Sequence, residues 1–190
     1  MRLYRIDESE KKRILTLHET ARKSLYLSEQ KSDGSEMKAS QVFWDHIKEY
    51  EGNPKKRVNG VKEPMYNAYK DSVGVWTIGY GHTEGVSDGM KITKQEALKF
   101  LYSDAKDAAD CVRRIFREWK SKDLSYEITQ GQFDALVSLV FNAGCDGVRT
   151  SDFIQELKRG NIDKAAEKIK SFKLQGGKNR RERESEIFLS

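Results

Sequence analysis

The chain has 190 residues, with 35 Lys and Arg against 30 Asp and Glu, a net charge of +5 and two cysteines. That length suits one domain plus a short extension, and its periodic apolar clusters exclude a disordered chain despite the charge content. No stretch approaches 18 uncharged apolar residues, so neither a signal peptide nor a stable membrane insertion is expected. Cys111 and Cys145 each stand alone in an apolar stretch. They read as buried free thiols, with one disulfide as the alternative and no metal ligation. Eight Lys or Arg face four Glu between Lys164 and Ser190. A basic surface attracts any polyanion, but such a run reads first as a solvated helix face, and no nucleic-acid partner is expected.

In chain order, Glu8 to about Ser28 has Ile14, Leu15, Ala21 and Leu25 at helical spacing and predicts an N-terminal helix. Gln30–Glu36 is a polar, turn-rich linker, so residues 1–38 are expected to form a helical extension to a domain of residues 39–190. The extension is too small to hold a core of its own and is expected to pack or dock. A helix over about Ser40–Tyr50 follows, with Gly52 placed to stop it, and Asn53–Pro64 is a basic loop. Tyr66–Tyr80 switches to β character around a turn at Ser72-Val73-Gly74.

Everything beyond is helical. Thr93-Lys94-Gln95-Glu96 is a capping box opening a long helix whose apolar face runs from Ala97 to Phe116. Thr129-Gln130-Gly131-Gln132 repeats that pattern before a helix ended by Gly144. Helices are expected over Asp152–Arg159, Ile162–Phe172 and Arg180–Leu189. The fold class is therefore α+β, mostly helical, with a small β-hairpin lobe and a cleft between hairpin and helices where an extended polymer fits.

Ala68–Thr83, AYKDSVGVWTIGYGHT, concentrates the unusual chemistry. Glycines in a short strand cost stability unless backbone or ligand must come close, and Asp71 at the corner can meet Thr77 on the returning strand. Taken alone, Asp71 could simply make an Asx-type turn and Thr77 be an ordinary strand residue. The longer pattern resembles the phage-type lysozyme (endolysin) family, glycoside hydrolase family 24, whose hallmark is Glu-Gly at a helix end followed by AYxDxxGxxTIGYGHT. Glu51-Gly52 supplies the first part; Gln132–Ser138, Phe141–Gly144 and Arg180–Leu189 are similar to the family's later motifs, so the likeness spans roughly residues 40–190.

The resemblance implies a lysozyme-like fold and a cofactor-free muramidase that hydrolyses the β-1,4 bond between N-acetylmuramic acid and N-acetylglucosamine. It implies that Glu51 is the general acid and that Asp71 and Thr77 hold the attacking water. His82 is implied to orient the Glu-bearing helix, and Phe141 and Ser151 to line the sugar cleft, although Phe141 could equally be core; Tyr80 is a candidate to stack on sugar, with packing beneath the hairpin as the alternative. The chemistry agrees: one carboxylic acid must protonate the leaving oxygen, and a second carboxylate must serve the water. A hydroxyl small enough to leave room for that water favours an inverting course.

Twenty residues separate Glu51 from Asp71, about ten more than the family pattern, so Asn53–Met65 reads as an insertion at the cleft rim. Glu49 and Glu63 are the competing acids; only Glu51 precedes Gly at the helix end. The implied setting is a monomer made in a host bacterial cytoplasm that reaches the wall through a holin lesion. A virion-associated lysozyme used in entry, and a non-catalytic wall binder, are the alternatives.

Overall fold

The structure is a computed structural model and describes residues 32, 34–51, 65–71, 74–122, 127–172 and 177–190, with the side chain of residue 51 outside that set. The expected helix at 8–28 and the loop at 53–64 lie outside the described residues.

Helix α1 spans Gln41–Glu51 and buries Phe43, His46 and Ile47 on one face. Its start is anchored from another helix, because Asp134 Oδ1 accepts the Ser40 N–H at 2.9 Å and Asp134 Oδ2 accepts the Ser40 hydroxyl. Burial pushes the Asp134 carboxyl above its ordinary value, an effect partly offset by these hydrogen bonds and by Gln130.

The hairpin lobe holds two antiparallel pairs. Strand β1 (Met65–Asn67) pairs with β4 (Lys91–Thr93), and β2 (Tyr69–Lys70) pairs with β3 (Trp76–Thr77). The second pair is the expected hairpin. The first was not anticipated, since a three-residue strand with one apolar position, Ile92, carries no readable alternation. It sets Tyr66 opposite Ile92, and those two bury a small core with Ile78 and Ala97.

Helix α2 (Lys94–Lys120) opens with the expected capping box: Thr93 Oγ1 accepts the Glu96 N–H at 3.2 Å and Glu96 Oε2 accepts the Thr93 N–H at 2.7 Å. Its buried stripe of Ala97, Leu101, Ala105, Ala108, Val112 and Phe116 matches the periodic face and continues to Trp119. Helix α3 (Gln130–Ala143) opens with the second box and is almost wholly buried, as the central helix of the larger lobe must be. Gly144 stops it with φ +78° and at once starts α4 (Cys145–Arg149), a five-residue helix too short to show a period. Helices α5 (Asp152–Lys158), α6 (Ile162–Ser171) and α7 (Lys178–Leu189) complete the lobe and pack in sequence, with α7 returning across α3. Among the described residues no helix is long and apolar enough to cross a membrane.

The free-thiol expectation is overturned: Cys111 and Cys145 form a disulfide, with their Cα atoms 5.9 Å apart. Neither cysteine has a local spacing signal; the fold alone brings mid-α2 against the first residue of α4. Closing 34 residues of chain should contribute about 3–4 kcal/mol by restricting the unfolded ensemble. Reductant is therefore expected to lower the urea midpoint of the native chain, and to leave unchanged a Cys111→Ser, Cys145→Ser variant that is already destabilised by that amount.

Candidate active site

Asp71 stands just past β2 and is bound into the turn it makes. Its N–H donates to Val75 O at 3.0 Å, its carbonyl accepts the Gly74 N–H at 3.1 Å, and its Oδ1 accepts the Val75 N–H at 2.9 Å. The Asx-type turn is thus real, and it holds the carboxylate in one orientation. The β2–β3 register pairs Tyr69 with Thr77, so Asp71 and Thr77 sit diagonally across the ribbon, where side chains come within reach of a shared small molecule. Thr77 is buried, and its hydroxyl donates to Val75 O at 3.2 Å. Its one proton is spent there, so toward a water its oxygen is an acceptor.

The glycines that follow have geometric reasons. Gly79 has φ +63°, and a Cβ there would meet the Ala97 methyl at 3.1 Å. This close approach presses the hairpin onto the start of α2. The chain turns at Gly79–Gly81, and the Ile78–His82 bridge closes the turn with bonds of 2.8 and 3.0 Å.

His82 is oriented by α2. Its Nδ1 lies 2.9 Å from both oxygens of Asp104, and its ring stacks on Phe100 at 4.2 Å and 6°. Phe100 and Asp104 are one helical turn apart, so one face of α2 provides the platform and the hydrogen bond. Among the described residues this ties His82 to α2 rather than to the helix bearing Glu51. Asp104 carried no signal in the sequence, since its partner is 22 residues away and no motif links them. Burial raises the Asp104 carboxyl above its ordinary value; the His82 contact opposes the shift, and Asp107 and Glu84 add to it.

A cavity of about 370 Å³ opens between the two lobes, walled by His82 and Glu84, by Asp104 and Arg114 of α2, and by Phe141 and the disulfide. Phe141 lines this cavity and also packs on the core, whereas Asp71 and Thr77 are not among the residues that wall it. Tyr80 and Ser151 do not line it. Tyr80 lies between the two apolar clusters, 6.3 Å from the Tyr66 ring, and burial raises its hydroxyl above the ordinary range. Ser151 is the N-cap of α5: its oxygen accepts the Ile154 N–H at 3.3 Å and its hydroxyl donates to Val148 O at 2.7 Å. Glu51 ends α1, and its side chain falls outside the described residues.

The chain is similar to known proteins in sequence and in fold. The family model described as phage lysozyme matches residues 56–184, which include Asp71, Thr77 and His82 and begin after Glu51. The protein of Enterobacteria phage P21 named SAR-endolysin is 33% identical over 138 residues, 69% of this chain and 79% of its own. The endolysin of Bacillus phage B103 is also 33% identical, over 161 residues that make up 81% of this chain; the match spans only 55% of that longer relative. Among solved structures, the endolysin from Escherichia coli O157:H7 phage FAHEc1 superposes with a TM-score of 0.63 at 31% identity, covering 82% of this chain and 95% of the other.

Proposed function

Since the chain belongs to the phage lysozyme family of glycoside hydrolases, we propose that it is an endolysin acting on bacterial peptidoglycan. The bond cut is the β-1,4 linkage between N-acetylmuramic acid and N-acetylglucosamine. The observation that carries this reading is the register-locked pair of Asp71 and Thr77 in the hairpin lobe. A water placed between them donates one hydrogen to the Thr77 oxygen and the other to the Asp71 carboxylate. Its lone pair is then directed at the anomeric carbon, while Glu51 protonates the departing oxygen. Asp71 ends protonated, Glu51 ends ionised, and water supplies every atom added, so the reaction balances without a cofactor. The course is a single displacement with inversion, which requires the two carboxyl groups to stand about 6.5–9.5 Å apart.

His82 keeps the turn after β3 fixed against α2, and Phe141 supplies an apolar wall to the sugar chain. Residues 39–190 form the catalytic domain in this reading, with 1–38 an appended N-terminal extension. The chain is made in the host cytoplasm, works as a monomer, and reaches the wall through a holin-type membrane lesion. Incubating purified chain with isolated peptidoglycan should release glycans with new reducing muramic acid ends, formed first as the α-anomer. Anhydromuramic ends instead would replace hydrolysis by a transglycosylase reaction in which Asp71 and Thr77 have no part.

A further inference from the structure

Glu51 is the last residue of α1, and the last turn of a helix leaves carbonyls without intrahelical partners. An acid placed there needs that turn held from outside, since a displacement of about 1 Å at a reacting group can cost 10²-fold in rate. Helix α7 provides the hold. The Tyr50 hydroxyl donates to the Asn179 carbonyl at 3.1 Å, joining residues 129 apart in sequence. The Arg180 guanidinium lies over the Tyr50 ring at 5.8 Å, and the His46 ring packs against the Tyr50 ring at 4.8 Å. His46, one turn earlier on α1, is itself buried with Nε2 3.6 Å from Glu184 of α7.

We propose that Tyr50 is a positioning residue for the general acid, pinning the end of α1 to the first turn of α7 so that Glu51 meets the cleft at a fixed place. The inference rests on the assignment of Glu51 as that acid. The charged groups around Tyr50 come from both elements: Glu49 on α1, and Arg180, Arg183 and Glu184 on α7. The ring alone gives packing, whereas the hydroxyl sets the azimuth of the turn. Removing the hydroxyl should therefore disturb chemistry more than folding.

Tyr50→Phe keeps the ring and deletes the bond to Asn179. The expected result is a loss of about tenfold in kcat with KM within about twofold and the urea midpoint nearly unchanged. The alkaline limb of the pH–rate profile should also move to lower pH, because an acid released toward water loses the environment that keeps it protonated. Tyr50→Leu, which deletes the ring and the seat of Arg180 as well, should lose more kcat with the same limb shift. Wild-type kcat and an unmoved alkaline limb in Tyr50→Phe overturn the proposal. So does a rate loss that merely tracks a lowered unfolding midpoint. A Glu51→Gln control separates the layers: if it stays active the acid assignment fails, whereas if it is inactive and Tyr50→Phe is unaffected only the positioning role fails.

Discussion

Glu51→Gln is expected to reduce turnover on peptidoglycan about 10³-fold or more, equivalent to about 4 kcal/mol of lost transition-state stabilisation. The substitution is nearly isosteric and exchanges the one group able to protonate the leaving oxygen for an amide that cannot. KM and the urea midpoint should stay close to wild type, because the substitution changes neither the size nor the shape of the side chain appreciably. The competing acid on the same helix is separated by geometry. At 100° per residue Glu49 projects about 200° around α1 from Glu51, and it is exposed. Glu49→Gln should therefore retain activity within about twofold, a surface change of the kind that seldom matters. Glu63 lies among residues outside those described, so Glu63→Gln belongs in the same assay. A Glu51→Gln enzyme keeping a tenth or more of its rate would move the acid to one of these two. Turbidity of outer-membrane-permeabilised cells reads all three variants.

What the sequence made legible follows from how local each feature is. The two capping boxes are four-residue signals, and both helices begin where those signals stand. The long apolar stripe of α2 repeats over many turns, so most of its buried face was readable; Phe100, counted in that stripe by spacing, is only half-buried and stacks on His82. Asp71 and Thr77 were readable because a hairpin register converts sequence spacing into spatial proximity. Features built from distant segments were opaque. The β1–β4 pair, the His82–Asp104 contact and the Cys111–Cys145 bond each join short stretches with no pattern of their own. Ser151 shows a role that motif position did not reveal: as the N-cap of α5 its hydroxyl accepts the Ile154 N–H and donates to Val148 O.

The Arg180–Leu189 motif was legible as a family terminus, but its physical role emerges only when α7 is packed against α3 and α1. Glu184 is fully buried; its Oε1 accepts from the Ser138 hydroxyl at 2.6 Å and from Arg180 Nε at 3.1 Å, and its Oε2 accepts from Arg181 Nη1. Arg181 is equally buried and also donates to the Phe172 carbonyl at 2.8 Å and to Asn142. Burial alone would raise the Glu184 carboxyl. His46, the two guanidiniums and Ser138 outweigh it and bring the carboxyl down to about 2 from 4.5.

Glu184→Gln should therefore cost about 3–5 kcal/mol at pH 7, because it leaves two buried guanidiniums without their shared anion. The sign of the pH dependence follows from a folded-state pKa below the unfolded one. Stability from Glu184 is complete above about pH 4.5 and drains away as pH falls toward 2. The gap in unfolding free energy between native chain and variant should accordingly narrow by about 2 kcal/mol between pH 6 and pH 3. Asp134 and Asp104 shift the opposite way, but both are present in both proteins and cancel in the difference. Urea unfolding of the pair across that range is the measurement, and a gap independent of pH would show that Glu184 acts by shape and not by charge.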